Sequence, residues 1–73
     1  RITLAIALRE LSRRRSVVEL DLSHDRPTGT IDRVAADHLD LAIHPVDEPR
    51  RASAVTGTWL VPLAAVDRLR WRG

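Results

Sequence analysis

The 73-residue chain contains no cysteine, which excludes disulfide scaffolds, cysteine-based zinc sites and thiol nucleophiles. Lysine, methionine, phenylalanine, tyrosine, asparagine and glutamine are also absent. No apolar run approaches the ~18 residues of a membrane-spanning helix, and no signal-peptide pattern opens the sequence. These absences argue against a membrane protein, and they predict a cytoplasmic location.

What is present is typical of a small globular protein. Apolar residues make up 44% of the chain and charged residues 30%, so residues 1–73 are predicted to form a single domain. So short a chain has little room for both a core and a shaped pocket. We find no nucleophile–base pair, phosphate loop or metal cluster, and we therefore expect neither an enzyme nor a cofactor. Because the chain starts at Arg1 and lacks methionine, we expect it to be part of a longer or processed protein.

The charges are segregated along the chain. Residues 1–15 carry five arginines and one acid, residues 16–49 two arginines and eight acids, and residues 50–73 five arginines and one acid. All twelve basic residues are arginine, whose planar fork binds phosphate or carboxylate through two oxygens. Basic ends around an acidic middle favour a two-sided surface, or contact between the basic end of one copy and the acidic middle of another.

The hydrophobic periodicity predicts one helix followed by five strands. Leu4, Leu8 and Leu11 share one helical face, which predicts a helix over residues 2–13 with Thr3 as its N-terminal cap. Alternating apolar residues then predict strands at about 17–23, 28–34, 38–44, 54–61 and 66–71.

Local features of these strands predict how the sheet bends. Gly29 is typical of a position where a barrel strand bends or meets another backbone, and the spacing from Ile31 to Val34 indicates a bulge. Residues 62–65 are predicted to form a short 3₁₀ turn before the fifth strand. The fold expected is mainly β: an N-terminal helix on a small, strongly bent, five-stranded antiparallel barrel.

This order of elements, over Ile2 to Trp71, resembles the Sm-like fold of Sm, LSm and Hfq proteins. The segments TGTIDRVAADHLDLAIHP (Thr28–Pro45) and WLVPLAAVDRLR (Trp59–Arg70) are similar to uncharacterised Sm-like proteins of actinobacteria. The resemblance implies RNA binding and a ring of copies joined between the fourth strand of one and the fifth strand of the next.

Two segments depart from the family pattern. Leu39 and Asp40 stand where Sm proteins have a Met-Asn pair, and Leu60–Leu63 replaces the usual Arg-Gly pair. The uridine pocket in the ring lumen therefore does not carry over to this chain.

The first functional hypothesis is a nucleic-acid-binding module for single-stranded RNA with its site elsewhere. Arg68 and Arg70 share one face of the fifth strand, and Arg72 continues it. With Arg50 and Arg51 they would form a basic stripe along a phosphate backbone. Trp59 and Trp71 are the only aromatic residues. Both stand at inward-facing positions of the alternating pattern, so we expect at least one of them in the core.

The alternative is a protein-interaction or oligomerisation scaffold that binds no nucleic acid. Its predicted homo-oligomer interface lies on the fourth and fifth strands, at Val55, Gly57, Trp59, Val66, Arg68 and Arg70. Ion pairs between the arginines and Asp21, Asp32 or Asp40 would weaken the RNA hypothesis in favour of this one.

The remaining polar residues are interpreted as ordinary surface groups. His24, His38 and His44 are expected to be exposed beside turns, and no metal site is predicted. Asp32, Asp37 and Asp40 are expected to be solvated turn residues.

Overall fold

The computed structural model describes residues 3–71. Ile2, where the predicted helix begins, and Arg72 lie outside the described residues. The element order is α1 (Leu4–Arg13), β1 (Val17–Asp21), β2 (Thr28–Val34), β3 (His38–Ile43), β4 (Gly57–Pro62), a 3₁₀ turn (Leu63–Ala65) and β5 (Arg68–Trp71). The prediction of a mainly β fold, with a helix before five antiparallel strands, is confirmed.

The helix is delimited by its two caps. Thr3 accepts a hydrogen bond from the backbone N–H of Ile6, as the sequence predicts for an N-terminal cap. At the other end, the Ser16 N–H donates to the Leu11 carbonyl and the Arg15 N–H to the Ser12 carbonyl. This pattern reverses the chain after a helix and requires a left-handed residue, usually glycine. Arg15 takes that position here, with φ of 57°.

The five strands form one open antiparallel sheet in the order β4-β3-β2-β1-β5. One face of the sheet packs against α1. Its core consists of apolar side chains from the helix and from four strands: Leu8, Leu11, Val18, Leu20, Ile31, Leu39, Leu41 and Val61. Because β4 pairs only with β3 and β5 only with β1, the sheet ends at two strand edges.

The predicted irregularities of β2 are present. The pairing register of β2 with β3 shifts between Ile31 and Arg33, as expected for a bulge. A Cβ atom at Gly29 would clash with the backbone carbonyl of Ala42, so glycine permits the two strands to approach closely.

The strand β4 begins at Gly57 rather than near residue 54. The N–H groups of Ala54 and Val55 both donate to the carbonyl of Arg51. This turn removes residues 54–56 from the predicted strand. Val55 of the predicted interface therefore precedes β4.

The other boundaries differ by one or two residues. β1 ends at Asp21 because the Leu22 N–H turns back to the carbonyl of Asp25, and β3 ends at Ile43. β5 begins at Arg68 because the Val66 N–H closes the predicted 3₁₀ turn on Leu63. Val66 packs against the core instead of lying on the edge strand.

Within residues 3–71, the helix is too short and too polar to cross a membrane.

Candidate functional site

The two open edges of the sheet hold most of the predicted interface residues. Gly57 and Trp59 lie in β4, and Arg68 and Arg70 lie in β5. Each of these strands has hydrogen-bonding groups along one side that no other described strand of the chain engages. An unpaired edge of this kind is a template for pairing with another strand.

The pairing register places both tryptophans on the face of the sheet that packs against α1. Trp59 is paired with the core residue Leu41, and Trp71 with the core residue Val18. Paired residues of neighbouring strands point to the same side of a sheet. Yet Trp59 is 40% exposed and Trp71 is 57% exposed, so neither is a core residue. The expectation that at least one of them lies in the core is wrong. Both lie where the sheet stops, and no further strand among residues 3–71 covers them.

On the outer face of the sheet, the β4 edge carries an exposed apolar residue and the β5 edge carries basic residues. Leu60 of β4 is 65% exposed and is paired with Asp40. Arg68 and Arg70 of β5 are paired with Asp21 and Glu19. An exposed leucine thus marks the outer face of one edge, and two arginines mark that of the other.

Two of the four arginines predicted to bind nucleic acid are engaged within the chain. The Arg50 guanidinium donates from Nε and Nη2 to the two carboxylate oxygens of Asp32, at 2.8 and 3.0 Å. This pairing raises the pKa of Arg50 through its hydrogen bond and its attraction to Asp32. Arg70 donates to Glu19 at 2.9 Å and lies 3.6 Å from Asp21.

The other two arginines, Arg51 and Arg68, have no carboxylate within 4.0 Å among residues 3–71. The proposed basic stripe is therefore half neutralised by acids of its own chain. Ion pairs of the arginines with Asp21, Asp32 or Asp40 were expected to weaken the RNA hypothesis in favour of the scaffold hypothesis. Arg50 pairs with Asp32 and Arg70 with Asp21, so this condition is met.

His44 is a polar group that sequence reasoning misjudged. It is only 2% exposed, so the expectation of an exposed histidine is wrong. Its Nδ1 lies 2.9 Å from the Pro45 carbonyl and its Nε2 2.8 Å from the Thr30 hydroxyl. Nδ1 donates to this carbonyl, which can only accept, and Nε2 shares a hydrogen bond with the Thr30 hydroxyl. Alternation gave no signal of this burial, because it places His44 on the face of Asp40 and Ala42 rather than with the core leucines of β3.

The aspartates near the β2–β3 turn are paired rather than free. Asp40 lies 3.4 Å from Arg33, and Asp37 lies 2.8 Å from His38. The hydrogen bond from His38 lowers the pKa of Asp37. Among the described residues, no group of three or more His, Asp or Glu side chains is arranged to hold a metal ion.

No protein-family model matches the chain, and neither a curated protein nor a solved structure does.

Proposed function

We propose that this chain is an assembly module, in which the β4 edge of one copy pairs with the β5 edge of the next. The observation that carries the proposal is the position of Trp59 and Trp71. Both are partly exposed, both lie on the face of the sheet that packs against α1, and they stand at its two opposite ends.

β4 and β5 run in the same direction in the sheet, so parallel pairing of the two edges would make the faces of neighbouring sheets continuous. Trp59 of one copy would then lie beside Leu69 and Trp71 of the next, which extends the apolar core across the contact. On the outer face, Leu60 would lie beside Arg68 and Arg70. The pairing uses backbone groups that are unpaired at both edges, so it also removes two edges that would otherwise be open to aggregation.

We further propose that the fold is Sm-like, a strongly bent barrel that is closed only between copies. The support is the helix before the sheet, the strand order β4-β3-β2-β1-β5, and the 3₁₀ turn between the two edge strands. A head-to-tail contact of this type generates a ring when its rotation closes and a filament when it does not.

Introducing a charge at Leu60 tests the pairing of the two edges. We expect Leu60→Arg to weaken association at least tenfold, because it places a cation against Arg68 and Arg70 of the neighbouring copy. The matched variant Leu60→Glu should keep association, because its carboxylate faces the same arginines. Light scattering across a range of protein concentrations, at low and moderate salt, measures both.

Two results would contradict this proposal. One is a wild-type chain that stays monomeric at millimolar concentration. The other is equal association of the Arg and Glu variants. Far-UV circular dichroism of each variant separates a lost contact from a lost fold.

Nucleic-acid binding remains a second candidate function. The observation that favours it is that Arg51 and Arg68 have no carboxylate partner in the described chain, while exposed indole rings lie on β4 and β5. Single-stranded nucleic acids bind where cations follow the backbone and aromatic rings stack on the bases.

This candidate predicts a particular salt dependence. Arg68→Ala should weaken binding of a fluorescent single-stranded RNA and reduce the slope of log K against log salt by about 0.7, the value for one phosphate contact on a single strand. Arg9→Ala is the matched control, since Arg9 is an exposed helical arginine that also lacks a carboxylate partner among residues 3–71. Equal effects of the two variants, or no binding at low salt, would eliminate the candidate.

A further inference from the structure

Three charged side chains from separate segments meet at one point of the surface. Asp32 belongs to β2, Arg50 to the loop between β3 and β4, and Arg15 to the turn after α1. Arg50 holds the Asp32 carboxylate through two hydrogen bonds. Nη2 of Arg15 lies 3.7 Å from Oδ1 of the same carboxylate. Two cations thus face one anion.

Two local irregularities of the backbone place these groups together. Arg15 has φ of 57°, a conformation that is unfavourable for any residue with a Cβ atom. Asp32 stands at the register shift between Ile31 and Arg33, and bulges of this kind often redirect a side chain beside a functional site. Two unfavourable features converging on one cluster suggest that the cluster does more than fasten a loop.

We propose that Arg15 and Arg50 form a binding site for a phosphate group, which Asp32 occupies in the free protein. A guanidinium fork binds two phosphate oxygens in the same arrangement in which it binds a carboxylate. The single charge of Asp32 leaves one positive charge of the pair unbalanced. A phosphate group that is not a diester, such as a monoester or pyrophosphate, carries more negative charge than a carboxylate and can displace it.

Displacement is feasible because the cluster is open to solvent. All three side chains are partly exposed, so water and dissolved ions reach the ion pairs and screen them. Release of Arg50 would free the loop, which is otherwise held mainly by hydrogen bonds within residues 43–56. The site lies apart from the β4 and β5 edge residues that carry the assembly proposal, so it does not depend on that proposal.

The test follows the side-chain Nε–H signals of arginine by NMR during titration with inorganic pyrophosphate. We expect the signals of Arg15 and Arg50 to shift in the wild-type protein, and Asp32→Asn to raise the affinity about tenfold. Asp40→Asn is the matched control. Asp40 is 30% exposed and Asp32 is 29% exposed, and Asp40 also pairs with an arginine, Arg33, which lies opposite it in β2. It should change affinity less than twofold.

The fork geometry is tested in the Asp32→Asn background. Arg50→Lys keeps the charge but loses the fork, so pyrophosphate affinity should fall severalfold. If Asp32 had only a structural role, Asp32→Asn and Asp40→Asn would bind pyrophosphate with equal affinity. That result overturns the proposal. If Asp32→Asn fails to fold, the wild-type protein alone supplies the test. Arg50 signals that do not shift when pyrophosphate is added then overturn the proposal.

The source of the phosphate group is separated by a second titration. An oligonucleotide without terminal phosphates presents only backbone diesters, whereas pyrophosphate presents a free group. Binding of either probe that is stronger in Asp32→Asn than in Asp40→Asn supports the site and identifies the form it accepts. Binding of neither probe overturns the proposal.

Discussion

Gly29→Ala is expected to destabilise the protein by about 3 kcal/mol or more, at the upper end of the range for over-packing. The added Cβ atom would overlap the carbonyl oxygen and carbon of Ala42 in the neighbouring strand. Both are backbone atoms, so no side chain can rotate away. The two central strands of the sheet must separate, and their hydrogen bonds must lengthen.

Gly57→Ala is the matched control for that substitution. Gly57 lies in the edge strand β4, and a Cβ atom there would meet nothing within 4 Å. We expect a change of no more than about 1 kcal/mol, and in the stabilising direction, because alanine restricts the unfolded chain more than glycine does. Urea unfolding followed by circular dichroism measures both variants. Equal stabilities would show that β2 and β3 do not approach as closely as the structure has them.

The contrast between the two glycines shows what sequence could and could not predict. The position of Gly29 near the start of an alternating segment indicates a bend or a close approach of backbones, and the structure shows the close approach. Alternation predicted β2, and the helical spacing of Leu4, Leu8 and Leu11 predicted the helix that ends at Arg13, because apolar periodicity is a local property of the chain. The boundary of β4 was missed, since the turn at Ala54 and Val55 depends on hydrogen bonds to Arg51 rather than on hydrophobicity.

The candidate sites were harder to predict, because they depend on which segments meet. Nothing local to Arg50 indicates that its partner is Asp32, eighteen residues earlier in the chain. The tryptophans were assigned to the correct face of the sheet, but their exposure follows from the strand order, which makes β4 and β5 edges. For His44, burial depends on the Thr30 hydroxyl in another strand. Alternation gives the face of a residue, whereas the fold determines what covers it.

The second large effect is expected from the packing of the helix against the sheet. Leu8→Ala is expected to destabilise the protein by about 2–5 kcal/mol, since truncating a buried leucine removes apolar burial and leaves a cavity. Leu8 is fully buried and belongs to the core cluster that includes Ile31 and Leu41. Small domains have total stabilities of only about 5–15 kcal/mol, so a large part of the population should unfold at moderate temperature.

Leu4→Ala in the same helix separates packing from helix propensity. The substitution is identical and lies one turn earlier, but Leu4 is largely exposed. Its loss should therefore cost less than about 1 kcal/mol, a cost that the higher helix propensity of alanine partly offsets. If Leu8→Ala is no more destabilising than Leu4→Ala in urea unfolding, the helix does not cover the sheet. The apolar face would then need another cover, and a second copy of the chain could supply it without pairing at the β4 and β5 edges. Light scattering of Leu60→Arg decides between these arrangements, because that substitution would weaken pairing at the edges and would leave a contact between the apolar faces unchanged.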